Sequence, residues 1–314
     1  MDLVFCGTPQ FAVPTLEKLA ASGFRVHLVV TQPDRPRGRG HKPGASPVKQ
    51  RALELGLPVI EPEAIKTNQA LQAQLESLKP AAIVIVGYGR IIPPWMLSLT
   101  LAPFGNLNLH ASLLPKYRGA APIQWAIANG ETATGVTTMR INEGLDTGDI
   151  LLQKEIAIAP DDTAVTLAPR LAAIGADLML ETLRGLEACR ITPRPQDHSR
   201  ATLAPLLRKE DGRIAFARPA TEVANRLRGF QPWPGAFTSF RGKQLSVTAA
   251  LPIASGAPSL EPGTLAVEGE RLLAGCGNAT ALELLELQPE GRKRMPARDF
   301  LHGYHPRSGE RLGE

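Results

Sequence analysis

Residues 81–86 read A-A-I-V-I-V and offer no polar side chain to either face. A strand apolar on both faces must be covered on both sides. Sheets covered in that way are parallel sheets under crossover helices. Leu3-Val4-Phe5-Cys6 and the run V-H-L-V-V at 26–30 suit the same sheet. Between them Gly7-Thr8-Pro9 turns the chain into a helix expected over 11–21, with Phe11, Leu16 and Leu19 inward and Gly23 at its end. Strand, glycine turn, helix and strand make a right-handed βαβ unit. Further helices are expected over 48–55, 68–78, 122–129 and 163–186, and strands over 58–60, 135–141 and 149–158. Only Gly7 stands where a dinucleotide fingerprint needs three glycines, so a nicotinamide or flavin site is not indicated.

One strand of this α/β pattern carries polar residues. In 106–122, N-L-N-L-H-A-S-L-L-P-K-Y-R-G-A-A-P, Leu107 and Leu109 alternate with Asn108 and His110. The alternation puts the amide and the imidazole on one face of a strand, about 7 Å apart. A loop stiffened by Pro115, Gly119 and Pro122 follows. The end of such a strand is where an open α/β sheet holds its ligand. A lone Asn or His beside a strand is more often a satisfied polar group. Here a second polar turn, N-E-G-L-D-T-G-D at 142–149, follows between two strands, and a carboxylate on it could reach the imidazole across a cleft and orient it. Gly87-Tyr88-Gly89, after the 81–86 strand, allows a ligand near the backbone or makes only a tight turn.

The rest of the chain adds charge and a second domain. The net charge is +5. Between Asp34 and Arg51 six basic residues stand against Asp34 alone, so this one segment equals the whole excess. Residues 32–47, rich in Pro and Gly, read as a long basic loop: a grip on a polyanion such as nucleic acid, or a solvated loop. Cys6, Cys189 and Cys276 show neither disulfide nor zinc spacing, which suits a reducing cytosol. No apolar run is long enough to span a membrane, and the chain enters a strand at once, without a signal peptide. Residues 190–207, with Pro193, Pro195 and Pro205, read as a linker after a first domain of 1–189. In 208–314 a helix over 220–229 precedes strands over 236–240, 244–251, 263–267, 271–274 and 281–287, the pattern of a small β-barrel. Arg292-Lys293-Arg294 is its densest basic cluster.

Several stretches together resemble the folate-dependent formyltransferases that act on methionyl-tRNA. They are F-C-G-T-P-Q-F-A at 5–12, Q-P-D-R-P-R-G-R-G at 32–40, L-H-A-S-L-L-P-K-Y-R-G-A-A-P-I-Q-W at 109–125, G-L-D-T-G-D-I at 144–150 and F-Q-P-W-P-G-A at 230–236. The resemblance runs essentially end to end. It implies a Rossmann-like formyltransferase domain followed by a smaller OB-like β-barrel. It implies catalysis by Asn108, His110 and Asp146, and folate contact along Ser112, Leu113, Leu114 and Pro115. The reaction it implies moves a formyl group from 10-formyltetrahydrofolate to the amino group of methionyl initiator tRNA, with no metal. The basic residues Arg35, Arg37, Arg39 and Lys42 are then expected on the tRNA acceptor stem. A cytoplasmic monomer is expected, with no membrane partner. Two rivals stand beside it: formyl transfer to a nucleotide-linked amino sugar or other small amine, and a non-enzymatic RNA-binding protein. The first has no need of the 32–42 loop. The second leaves the Asn–His–Asp constellation without purpose.

Overall fold

Strand β1 (Asp2–Gly7) passes through one 3-10 turn into α1 (Val13–Ala20) and on to β2 (Arg25–Val30). This is the expected βαβ opening, with Leu16 and Leu19 fully buried. In this computed structural model residues 1–37, 42–100, 104–253 and 260–314 are described. Two short strands, β3 (Arg35–Arg37) and β4 (Lys42–Gly44), pair antiparallel. The 32–47 segment, read as a loop throughout, thus carries a two-stranded ribbon. The prolines that signalled a loop pair opposite each other there, Pro36 against Pro43. Then come α2 (Pro47–Glu54), β5 (Val59–Ile60), α3 (Gln69–Leu78), β6 (Ala82–Val86), α4 (Pro94–Leu97), β7 (Gly105–His110), α5 (Pro122–Ala128), β8 (Ala133–Arg140), β9 (Ile150–Ala157) and α6 (Ala164–Glu187). Helix starts follow local chemistry. Ser46 Oγ accepts from Lys49 N–H at the start of α2, and Asn68 Oδ1 from Leu71 N–H at the start of α3.

The chain divides into two units. The first takes Met1–Pro122, Ala133–Ile156 and Ala168–Pro205. Its seven-stranded sheet has the order β5-β2-β1-β6-β7-β8-β9. The strands β5, β2, β1, β6 and β7 are parallel, and β8 runs antiparallel to β7. Strand β6 is buried along its whole length, as its sequence requires. The order reverses between β1 and β6, since β2 and β5 lie on one side and β7 on the other. At such a reversal the crossovers diverge and leave a crevice beyond the carboxyl ends of the strands. Three strand ends are tied together there: Thr8 Oγ1 and Gln32 Nε2 both donate to the Tyr88 carbonyl, at 3.1 and 2.7 Å. Helix α6 lies directly on β7. A Cβ on Gly175 would come within 2.6 Å of Leu109 Cδ2, so the glycine lets the helix approach without displacing that side chain.

Residues 190–205, expected as linker, are part of this first unit. Arg194 and Ile150 exchange both backbone hydrogen bonds, at 2.8 and 2.9 Å. Arg118 N–H donates to Thr202 O and Ala204 N–H to Arg118 O, at 2.8 and 2.7 Å. The prolines hold this segment extended, which suits strand-like pairing. Its partners lie far back in the chain, where local sequence cannot point to them.

The second unit takes Ile123–Thr132, Ala157–Leu167 and Leu206–Glu314. Helix α7 (Ala220–Gly229) precedes β10 (Phe237–Phe240), β11 (Lys243–Ile253), β12 (Leu265–Glu268), β13 (Arg271–Cys276), β14 (Thr280–Pro289), β15 (Met295–Pro296) and α8 (Ala297–Tyr304). The strands form one antiparallel sheet in the order β10-β11-β14-β13-β12, with β15 on β14. The last residues close it. Leu265 N–H donates to Glu310 O and Leu312 N–H to Gly263 O on the β12 side. Gly313 N–H donates to Ser239 O in β10. Both edges are thus bonded to one C-terminal segment, and the sheet becomes the expected barrel. Val223, Leu227, Leu282, Leu284 and Phe300 fill its core.

Candidate active site

Strand β7 supplies two of the three expected groups. Leu107 and Leu109 are buried, and Asn108 and His110 share the opposite face. The third comes from the β8–β9 connection. Asp146 Oδ1 lies 3.5 Å from Asn108 Nδ2, and Asp146 Oδ2 lies 3.7 Å from His110 Nδ1. Three residues from two distant stretches therefore meet around one carboxylate.

The imidazole is orientated from its far side. Its Nε2 lies 2.8 Å from the Tyr117 carbonyl. A carbonyl can only accept, so Nε2 carries a proton and Nδ1 is the nitrogen turned to Asp146. The carboxylate is held just as closely. Its Oδ2 accepts from Gly119 N–H at 2.8 Å. Gly119 has φ +118°, and a Cβ there would come within 2.7 Å of Ala204 O, so this donor can only be a glycine. Asp146 itself is left-handed, with φ +49°, a conformation that costs an L-residue about 1–2 kcal/mol. Its turn is pinned by Gln196, whose Nε2 donates to Asp146 O at 2.9 Å and Gly148 O at 2.7 Å.

The loop after β7 is braced from beneath. Ser112 and Leu114 are buried. Thr137 Oγ1, on β8, donates to Ser112 O and accepts from Leu114 N–H, at 2.6 and 3.2 Å. Gln153 Nε2, on β9, donates to Leu114 O at 2.9 Å. The Leu114 side chain packs with Met139 and Ile150, so it serves as an anchor. Leu113 and Pro115 remain half-buried. Among the Gly87–Arg90 residues Tyr88 is buried, and burial pushes its hydroxyl up to about 12.

The basic ribbon stands as follows. Arg35 and Arg37 lie in β3 and Lys42 in β4, while Arg39 lies outside the described residues. Two nearby cations in α2 are paired to acids. Lys49 pairs with Asp34 and Glu61 at 2.9 and 2.7 Å, and Arg51 with Glu17 and Glu54 at 2.6 and 2.8 Å.

The chain is similar to known proteins over its whole length. The formyl transferase family model matches residues 1–183, and the model of the formyl transferase C-terminal domain matches 206–305. The methionyl-tRNA formyltransferase of Koribacter versatilis is 62% identical over 313 residues, covering 100% of this chain and 99% of the relative. That of Acidobacterium capsulatum is 60% identical over 313 residues, with both chains covered in full. The chain belongs to the methionyl-tRNA formyltransferase family. Among solved structures, an N-formyltransferase from Helicobacter canadensis in complex with folinic acid and dTDP-3-aminofucose has the same fold, with a TM-score of 0.67 at 20% identity over 91% of this chain and 98% of that one.

Sequence reasoning singled out Asn108, His110 and Asp146. It missed the residues that hold them. Tyr117 and Gly119 lie inside the quoted 109–125 motif, and an isolated positive-φ glycine there was the available signal. Arg118 and Gln196 gave none. A glutamine in a proline-rich stretch looks solvated until its partners are seen.

Proposed function

We propose that the chain transfers the formyl group of 10-formyltetrahydrofolate to the α-amino group of methionyl initiator tRNA through Asn108, His110 and Asp146. The observation that carries this reading is the convergence of these three side chains beyond the β7 strand end, in a chain alike end to end to methionyl-tRNA formyltransferases. The amine attacks the formyl carbon, and a tetrahedral oxyanion forms. Asn108 Nδ2 donates to that oxygen. His110 has spent its Nε2–H on Tyr117, so the donor it offers is Nδ1–H of the imidazolium, facing Asp146. Asp146, through a water, takes the ammonium proton from the attacking nitrogen and returns it to N10 as the C–N10 bond breaks. The new N-formyl amide and tetrahydrofolate then leave. Donors fixed in advance on the developing charge supply a large share of such a rate enhancement.

The Ser112–Pro115 loop and the 84–90 strand end would take the pterin. Backbone groups meet its edge, and Leu113 and Pro115 offer apolar contact while Ser112 and Leu114 hold the loop. Arg35, Arg37, Arg39 and Lys42 would grip acceptor-stem phosphates. In this reading catalysis belongs to 1–189 together with the 190–205 segment of the same unit, and further tRNA contact to 208–314, in a cytoplasmic monomer. The test is formyl transfer from 10-formyltetrahydrofolate to charged initiator tRNA, with the His110→Ala protein beside it. Turnover that fails with methionyl-tRNA but proceeds with a nucleotide-linked amino sugar would replace the reading with its rival.

A further inference from the structure

Behind the carboxylate lies a buried polar relay that the transfer chemistry does not itself use. Gln196 is 5% exposed and Arg118 7%. All four hydrogen-bonding positions of the Gln196 amide are occupied. Both N–H bonds go to carbonyls of the Asp146 turn, Asp146 O and Gly148 O. Both lone pairs of Oε1 accept from Arg118, from Nε at 3.1 Å and Nη2 at 2.6 Å. Guanidinium only donates and carbonyls only accept, so the amide has one orientation. Arg118 Nη2 also reaches His198 Nδ1, at 3.2 Å, and its neighbour Gly119 donates to Asp146 Oδ2. The two ends of this relay thus meet Asp146 from its backbone and from its carboxylate. A residue held at φ +49° needs such outside support, and here it comes from a segment about 50 positions further along the chain.

We propose that Gln196, fixed by Arg118, is a positioning residue of the formyl transfer: it holds the Asp146 turn so that the carboxylate meets Asn108 and His110. The inference rests on the reading of Asp146 as catalytic. It needs N–H donors at position 196, since shape and an Arg118 partner alone cannot hold two carbonyls. Gln196→Glu separates these. It keeps size and the bond to Arg118 but turns an acceptor toward the carbonyls of Asp146 and Gly148.

Steady-state formylation of methionyl-tRNA tests this with Gln196→Glu, Asp146→Ala and the double variant, each checked by thermal melting. The expected result is a kcat lower by about 10²-fold in Gln196→Glu, as for a small misplacement of a catalytic group. KM for folate and for tRNA should stay within a few-fold. The double variant should be no slower than Asp146→Ala alone, because both changes remove one function. Near-normal kcat in Gln196→Glu beside a slow Asp146→Ala overturns the inference and leaves Asp146 in place. Near-normal kcat in Asp146→Ala overturns both. Losses that multiply in the double variant make Gln196 a general structural residue and overturn it too. If Gln196→Glu does not melt cooperatively, Gln196→Met is judged by the same criteria, and loss of folding in both also overturns the proposal.

Discussion

At the scale of single residues, the proposed chemistry rests on one amide donor and one carboxylate. Asn108 offers an amide hydrogen on the open face of β7, and Asp146 faces both it and His110. Removing one oxyanion donor typically costs about 10²–10³ in rate, roughly 3–4 kcal/mol. Asn108→Ala is expected to lower kcat by that order, and Asp146→Ala, which removes the proton carrier, by about 10²–10⁴, while both variants keep the far-UV dichroism of the parent and melt cooperatively. Turnover within a few-fold of normal would remove that residue from the chemistry. Gly119 is a different case, because its backbone is the functional group. Gly119→Ala forces a side chain into φ +118° and against Ala204 O. It should lower both Tm and kcat, and a variant with unchanged Tm would show that the 117–121 loop has room to shift.

At the scale of elements, pairing across long stretches of chain decides what each segment does. The proline-rich 190–205 run forms strand-like pairs with Ile150 and with the loop after β7, and so it carries Gln196 to Asp146. The C-terminal segment does similar work in the second unit, where it bonds to β12 and to β10. Exposed strand edges are unpaired donors and acceptors, prone to fraying and to association. Deleting residues 309–314 should therefore speed amide exchange in Phe237–Phe240 and Leu265–Glu268 far more than in β14, and favour aggregation. Equal protection of these edges in the shortened chain would show that the barrel closes without its tail. Helix α7 binds its unit together in another way. Its Arg226 lies 5.6 Å from the centre of the Trp125 ring and 4.9 Å from that of Phe230, and Arg228 donates to the Ala159 and Asp162 carbonyls.

At the scale of the whole molecule, charge is spread unevenly. The Lys and Arg residues of the 32–47 segment are Arg35, Arg37, Arg39 and Lys42. Phosphate contacts release counterions, so tRNA affinity should fall steeply with salt. The fourfold alanine variant should bind tRNA weakly, with a salt slope shallower by about 3–4, and bind folate normally. An unchanged slope would move the tRNA grip elsewhere. Acid stability follows from carboxylates held below their ordinary values: Glu283 by its hydrogen bonds from Arg271, Asp2 by the one from His27, and Glu54 by the one from Arg51. A depressed folded value means that the folded state binds its proton later than the unfolded chain. The stability involved is fully present above the ordinary carboxylate range and is lost as pH falls through the lowered values. The urea midpoint should thus hold between about pH 7 and 5 and decline below about 4. A midpoint that rose on acidification would reverse the sign of these pairings.

Period and local chemistry were enough for the elements. The A-V-I-rich run of β6, the alternation around Asn108, the caps at Ser46 and Asn68 and the glycine turn after β1 act over a few residues and are legible as written. The three candidate groups could be picked out for the same reason, since each stands at a strand end or in a turn. What holds those groups was decided only by folding. The left-handed Asp146, the Gly119 donor, the Tyr117 carbonyl behind His110 and the Gln196–Arg118 relay arise from backbone pairing between segments tens of residues apart, and no local pattern records a hydrogen bond whose two halves are brought together only by the tertiary fold.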